Sequence, residues 1–391
     1  MIKIPKDWEI KKIEDISQVN PNSENLNDEF LYIDLESVIG GKLIQENIIK
    51  RKYAPSRAQR VLKKNDILFQ LVRPYQQNNY IHLKEYPLQV VASTGYAQIR
   101  TDDFGYLYQY LNFSTFCNKV LEKCTGTNYP AINSNDFSKI PIAWPSKHER
   151  NKIAKILTKW DEAIELQEQL IEKLELQKKG LMQKLLKPKK DWNTTKIADL
   201  GTTYNGLSDK TKEDFGYGKY YIPYMNVYTN SIINGDFFEC VKIEKNENQT
   251  KVIYGDVLFT ISSETPEEVG VSSVYLGHET ELYLNSFCFG FRIDDFKKLL
   301  PEFAAYYFRS IQFKKILSKL AQGVTRFNLG KESLLKENII IPKIQEQILI
   351  SKNLMNAENI LKLHSQKLTL LKRQRKSLMQ LLLTGTIRVK T

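Results

Sequence analysis

Four cysteines and four histidines are all that 391 residues supply of thiol and imidazole groups. Cys117, Cys124, Cys240 and Cys288 form no CxxC pair and the histidines lie far apart, so the pattern excludes a zinc-ribbon or dithiol site and predicts reduced structural thiols. No run of about 18 apolar residues is present to span a membrane, and the opening MIKIPKDWEI carries charge too early for a secretory signal. A secreted or membrane-spanning protein is not expected. Catalytic signatures are missing as well: there is no GxxxxGK[ST] phosphate loop, no HExxH, and no GxGxxG opening a helix after a strand. TNYPA, Thr127 to Ala131, lacks the Asn-Pro-Pro order with which amino-methyltransferases hold a flipped base, and no PD followed by a spaced ExK suggests a nuclease. Acidic pairs such as Asp102 with Asp103 and Glu267 with Glu268 fall in polar, turn-like stretches, where solvated carboxylates are the default.

What is present is a globular composition, 42% apolar and 26% charged, in a chain long enough for two or more domains. Lys and Arg number 57 against 45 Asp and Glu, a formal charge of +12 that favours a polyanionic partner. The surplus is local. Residues 348–391 hold nine cations and one Glu, while residues 192–347 hold 18 cations and 20 acids. Within residues 42–64, Lys42, Lys50, Arg51, Lys52, Arg57, Arg60, Lys63 and Lys64 face Glu46 alone, interleaved with Tyr53, Pro55 and Ser56. That mixture suits phosphate oxygens and base edges, with arginine able to engage guanine bidentately and lysine supplying charge. A soluble basic loop is the plainer alternative. The second half instead offers tyrosines and amides in Tyr217–Gly235, so contact there would rest on groups such as Asn226 and Tyr228, with Lys210, Lys219 and Arg326 supplying phosphate contact.

The chain is one plan written twice. A shift of 197 positions lays residues 106–186 on 303–383 without a gap, with Gly126 on Gly323, Pro145 on Pro342, Glu149 on Glu346 and KGLMQKLL on KSLMQLLL. Further upstream, with a drifting register, DWEIKKIEDI from Asp7 matches DWNTTKIADL from Asp191, and NDILF from Asn65 matches GDVLF from Gly255. Each copy ends in a heptad seam: Ile153, Leu157, Trp160, Ile164, Ile171, Leu174, Leu181 and Leu185 in the first, and Ile350, Leu354, Ala357, Leu361, Leu368, Leu371, Leu378 and Leu382 in the second. Polar residues interrupt both seams at matched places, Gln167 with His364 and Lys178 with Arg375, as register-fixing residues do. The 33 residues from Ile153 to Leu185 amount to about 50 Å of helix. Two such helices pair most simply as an antiparallel rod with a mixed α and β segment at either end. Strands are expected around Phe30–Val38, Asp66–Val72 and Val257–Ser262, and a helical stretch from Glu302 to Leu320.

The duplicated plan, the segments SKIPIAWPSKHER (Ser138–Arg150) and KENIIIPKIQEQ (Lys336–Gln347), and the endings LMQKLL and LMQLLLTGTIRV together resemble the specificity subunit of type I restriction-modification systems, over essentially the full length. PSRAQRVLKKNDILFQLVRPY (Pro55–Tyr75) and YGDVLFTISSETPEEVGVSSVY (Tyr254–Tyr275) look like parts of that family's target recognition domains, and the loops Thr125–Asn133 and Gln322–Leu329 match the family and each other. The resemblance implies an α+β fold: target recognition domains at 1–150 and 188–347, a central long helix at 151–187 and a C-terminal long helix at 348–385, antiparallel and related by a pseudo-two-fold repeat. It implies a chain without catalysis, metal or bound cofactor, in which each domain reads one half of a split, asymmetric sequence in double-stranded DNA. Two methylation subunits would carry S-adenosylmethionine chemistry on adenine, and restriction subunits would use ATP and Mg, all in the cytoplasm. Expected DNA contacts are Lys50, Arg51, Lys52, Tyr53, Ser56, Arg57, Arg60, Arg73, Gln76, Asn78, Thr127 and Asn128 in the first domain, and Lys210, Lys219, Asn226, Tyr228, Ser262, Ser263, Thr325 and Arg326 in the second. The helix-pair interface is expected at Ile153, Leu157, Trp160, Ile164, Ile171, Leu174, Leu354, Leu361, Leu368 and Leu371. The second domain departs from the family with NGLSDK (Asn205–Lys210) where a Gly-Gly-Thr-Pro-like loop is common. Two rival classes stay open at this point: a self-sufficient methyltransferase or nuclease with unfamiliar motifs, and a coiled-coil scaffold that binds no DNA.

Overall fold

A computed structural model describes residues 4–22 and 24–389. They form two compact units: unit 1 comprises the N-terminal chain to Glu168 together with the C-terminal segment from Gln366, and unit 2 comprises Gln169–Ser365. The division cuts both long helices, Lys147–Leu185 and Ile344–Leu383. Both begin a turn ahead of the boundaries at 151 and 348, because proline and polar caps act upstream of the first heptad residue. Ser146 Oγ accepts from the Glu149 amide, while the Arg150 guanidinium and the Gln347 amide each return to the carbonyl of the preceding proline, Pro145 at 2.5 Å and Pro342 at 2.9 Å.

Unit 1 contains two four-stranded sheets. In one, Asn47–Lys50, Glu29–Ile33, Gln89–Ser93 and Ala58–Val61 lie side by side in that order, with the two central strands parallel. In the other the order is Gln18–Val19, Tyr96–Arg100, Ile67–Gln70 and Tyr80–Ile81. Glu9–Lys12 pairs antiparallel with Pro141–Trp144. Unit 2 repeats these connections: Asn193–Lys196 pairs with Asn338–Ile341, and Gly201–Asn205, Cys288–Ile293, Val257–Thr260 and Ser272–Val274 form the equivalent sheet. Phe215–Ile222 lies parallel to Leu282–Leu284 and antiparallel to Glu239–Val241. Among the described residues unit 2 has no fourth strand in this last sheet, where unit 1 has Ala58–Val61.

The repeat extends to individual contacts. Tyr110 accepts from the Ala143 amide at 3.1 Å, and Tyr307, at the matching position, accepts from the Ile340 amide at 3.2 Å. Phe69 packs against Phe116 with ring centres 5.9 Å apart, and Phe259, from the matching strand, packs against Phe313, 197 positions after Phe116, at 6.4 Å. The aspartate of NDILF and GDVLF is buried in both units. Asp66 accepts from the Lys63 amide, Gln98 and Arg100, and Asp256 from the Ile253 amide, Tyr204 and Arg292. One expectation needs correction: the helical stretch from Glu302 is two helices, Pro301–Tyr307 and Ile311–Leu320, because Ser310 starts a new helix by accepting from the Phe313 amide.

Every position of the heptad seams is buried or half-buried, whereas off-seam Leu166, Leu176, Leu363 and Leu370 are exposed. Two of the polar interruptions, Lys178 and Arg375, are explained by ion pairs between the helices inside each unit. In unit 1, Arg375 meets Asp161 at 2.8 Å, and Gln109 donates to the same carboxylate at 2.7 Å. In unit 2, Lys178 lies 3.4 Å from Glu358, which also accepts from Tyr306 at 2.7 Å and Ser231 at 2.6 Å. Gln109 and Tyr306, Asp161 and Glu358, and Lys178 and Arg375 all stand 197 positions apart, so the two clusters are one device.

Burial pushes the Glu358 carboxyl up, yet the Lys178 charge and the two hydroxyls outweigh it and hold the carboxyl below its ordinary value. A depressed carboxylate contributes stability that is complete above its ordinary value near 4.5 and is lost as pH falls through the folded value. Glu358→Gln is therefore expected to flatten the acid limb of unit 2 stability. Urea denaturation at falling pH, followed by 19F-tryptophan NMR at Trp192, reads that unit because the other tryptophans, Trp8, Trp144 and Trp160, all belong to unit 1. An acid limb as steep as the parent's contradicts the assignment.

Candidate nucleic-acid interface

The basic segment at 42–64 is part of a sheet rather than a loop. Lys50 ends one edge strand opposite Glu29, Arg51–Tyr53 forms a single tight turn, and Arg60 sits in the opposite edge strand with Ala92 as its partner. Ser56 and Arg57 lie exposed between turn and strand. The eight cations divide into two groups. Lys42 pairs with Glu165 and Glu168 of the long helix, Lys63 with Glu24, and Lys64 with Glu85. Lys50, Arg51, Lys52, Arg57 and Arg60 form no ion pair among the described residues: Arg51 donates to the Leu26 carbonyl and Lys52 lies 4.7 Å from the centre of the Tyr53 ring. Arg60 Nε is buried with no acceptor among the described residues, and burial lowers the guanidinium's pKa. Lys50, Arg51, Lys52 and Arg57 are exposed, and cations without an acidic partner there favour an incoming anion.

A second cluster joins Arg73, Gln76 and Asn78 to the loop that carries Thr127 and Asn128. Arg73 has left-handed backbone (φ 54°), its amide donates to the Pro130 carbonyl at 2.7 Å, and its guanidinium lies 4.2 Å from the centre of the Tyr129 ring. Gln76 and Asn78 are held from below: Gln70 donates to Gln76 Oε1 at 2.9 Å, and Asn78 Oδ1 accepts from the Gly40 amide at 3.0 Å. Their carbonyl oxygens are thus already used, which leaves their NH2 groups to donate outward. Thr127 and Asn128 are exposed.

In unit 2 the placements are less uniform. Ser262 accepts from Arg326 Nε at 3.2 Å, Ser263 donates to the Thr265 carbonyl, and Thr325 and Arg326 are exposed. Lys219 is exposed and paired with Glu281. Tyr228 donates to Glu268, and that hydrogen bond, aided by burial, raises its pKa. Two expected contacts are overturned. Asn226 is completely buried, donating to the Asn234 and Phe237 carbonyls and accepting from the Asn234 amide, so it organises its own loop. Lys210 has only 5% of its side chain exposed and is spent on Glu247 and the Lys242 carbonyl. Both lie in a polar, tyrosine-rich run whose composition suits an outer face equally well, and only the fold turns them inward. The contact of Tyr129 with Arg73 was not expected, although the place of Tyr129 opposite Arg326 in the 197-residue register was a usable signal.

The glycine that opens each loop is required by the turn. Gly126 (φ 87°) and Gly323 (φ 130°) lie in the left-handed half of the map, and a Cβ on them would stand 3.1 Å from the Tyr129 carbonyl oxygen and 2.0 Å from that of Arg326. Gly323→Ala is expected to rearrange the Gln322–Asn328 loop at a cost of about 1–3 kcal/mol, more than Gly126→Ala. Chemical-shift changes confined to those residues, with a lower urea midpoint, check it.

Among the described residues, no helix is long and apolar enough to cross a membrane, no group of three or more His, Cys, Asp or Glu is arranged to hold a metal, and all four cysteines are free. The family model for the type I restriction modification DNA specificity domain matches residues 5–176 and again 189–373. The chain belongs to this family. It is a specificity subunit, the DNA-recognition part of a complex whose catalysis other subunits carry. One relative agrees along the whole length: the chain is 25% identical over 425 residues to the specificity subunit of the type I restriction enzyme MjaVIII of Methanocaldococcus jannaschii, covering 100% of this chain and 95% of that one. It is 27% identical over 177 residues to the HindI specificity subunit of Haemophilus influenzae, covering 43% and 38%.

Solved structures share the fold of the specificity subunit. A chain from a type I restriction-modification assembly superposes with a TM-score of 0.63 at 19% identity, covering 98% of this chain and 100% of that one. The S subunit from M. genitalium does so with 0.58 at 15%, covering 97% and 96%. Neither the self-sufficient enzyme nor the DNA-free scaffold finds support in these likenesses.

Proposed function

We propose that unit 1 and unit 2 each read one half of a bipartite, asymmetric DNA target, and that the two long helices form an antiparallel coiled coil that relates the readers by a pseudo-two-fold repeat and sets the unread spacer. The observation that carries this reading is a shared scaffold with unlike edges. The Asp66 and Asp256 clusters, the Tyr110 and Tyr307 bonds and the interhelical ion pairs recur, whereas the basic strand Ala58–Val61 has no counterpart among the described residues of unit 2. Identical readers would favour a palindrome, and readers that differ at their edges favour two unlike half-sites.

In this reading the chain works in the cytoplasm and binds no cofactor. Two methylation subunits bring S-adenosylmethionine to the flipped adenines, and restriction subunits bring ATP-driven translocation with Mg. The test is to map methylated adenines in the genome of a host that carries the complete system. The expected result is one interrupted, asymmetric motif with a methyl group in each half, and Arg57→Ala or Arg60→Ala weakening recognition of one half only. A continuous or palindromic motif, or relaxation of both halves, overturns it.

A further inference from the structure

The two tip loops are built alike and armed in opposite ways. In unit 1, Thr125 pairs with Ala131 across the loop, Ala131 pairs with Val72, and the Ile132 amide donates to the Leu71 carbonyl at 3.1 Å. In unit 2, Gln322 pairs with Asn328, Asn328 with Ser262, and the Leu329 amide donates to the Ile261 carbonyl at 2.9 Å. Each loop therefore lies on the residues that leave the NDILF or GDVLF strand. Each opens with its obligatory glycine and presents three residues, Thr127, Asn128 and Tyr129 in one and Val324, Thr325 and Arg326 in the other.

One arginine stands at each junction, delivered from opposite sides. Arg73 comes from the strand exit and lies over the ring of Tyr129 from the loop. Arg326 comes from the loop, at the position of Tyr129, and its Nε rests on Ser262 of the strand exit. Stacking on a ring leaves the edge of the Arg73 guanidinium, with its paired donors, available, and an Nε bond leaves the two terminal nitrogens of Arg326. A guanidinium anchored in this way loses less freedom on meeting the two acceptors that guanine offers in the major groove.

We infer that Arg73 and Arg326 are the base-reading arginines of their units, each engaging a guanine in its own half-site, with Tyr129 and Ser262 as positioning residues. The inference rests on the one-unit-per-half reading and adds which side chain reads, and what.

Methylated-adenine mapping in hosts carrying single variants of the complete system tests it. Arg73→Ala and Arg326→Ala are each expected to lower discrimination for guanine about 10- to 100-fold at one position, the two positions lying in different halves. Arg73→Lys keeps charge but not the fork and is expected to lose the same preference while retaining salt-dependent binding. Tyr129→Phe preserves the stack and the motif, whereas Tyr129→Ala and Ser262→Ala weaken preference at the positions lost in Arg73→Ala and Arg326→Ala respectively. Circular dichroism and the salt slope on non-specific duplex verify folding, and Arg→Lys variants replace any Arg→Ala variant that does not fold. Unchanged preference at every position in folded Arg variants overturns the inference and leaves the two-reader reading standing. If Arg73 and Arg326 variants relax the same half, the two-reader reading itself fails.

Discussion

Replacing Lys50, Arg51, Lys52, Arg57 and Arg60 together by alanine is expected to make DNA binding far less sensitive to salt. At about 0.9 per phosphate contact, five contacts lower the slope of log affinity against log salt by roughly 4.5. Between about 50 and 200 mM salt, the parent then loses roughly 500-fold more affinity than the variant. Lys42, Lys63 and Lys64 are left in place because they already hold Glu165, Glu168, Glu24 and Glu85, and removing them changes folding energetics as well as binding. Anisotropy titrations of the specificity subunit, together with the methylation subunits proposed above, on duplex carrying the mapped motif, measure the slope. A slope that stays with the parent's places these two sheet edges away from phosphate. A second signature separates this from general loss of charge: base preference in the half proposed for unit 2 is expected to persist.

The second large effect is on stability. Asp66→Ala and Asp256→Ala each strip a buried carboxylate from an arginine and leave donors without an acceptor, and breaking such a pair costs about 3–5 kcal/mol. Asp66 serves one backbone amide, Gln98 and Arg100, and the aspartate lifts the Arg100 pKa by its hydrogen bonds and charge. Asp256 serves one backbone amide, Tyr204 and Arg292. Each variant is expected to destabilise its own unit. Hydrogen exchange resolved by peptide reports the two separately: faster opening of the Ile67–Gln70 and Tyr96–Arg100 strands in Asp66→Ala, and of Val257–Thr260 and Cys288–Ile293 in Asp256→Ala. Equal loss of protection in both units from either variant refutes independent clusters. The two aspartates also occupy the same place in the repeat, so similar magnitudes are expected.

Much of this was legible in the residues. Periodicity alone marks the two long helices, since a seam at spacings of four and three leaves little choice of buried face, and positions such as Leu157 and Leu354 are fully buried. The 197-residue register marks Lys178 and Arg375 as equivalent polar interruptions, and each forms an interhelical ion pair, with Glu358 and Asp161 respectively. Less legible was the purpose of polar residues. Asn226 and Lys210 have the composition of a recognition face and serve as internal struts, because a buried amide or ammonium meets its carbonyl and carboxylate partners only after the chain has folded. Ser310 likewise ends one helix and begins another through a cap that propensity does not show.

The residues by themselves determined the duplication, the helix seams and the uneven distribution of charge. Those features depend on periodicity and composition, which local chemistry writes directly into the chain. Tertiary structure decided which cations of the basic segment pair with Glu24, Glu85, Glu165 and Glu168 and which form no ion pair among the described residues. It also decided that Arg73 stands over Tyr129 while Arg326 stands against Ser262. These pairs join residues 56 and 64 positions apart, and the approach of such distant segments is fixed by sheet register and a glycine turn rather than by any local preference.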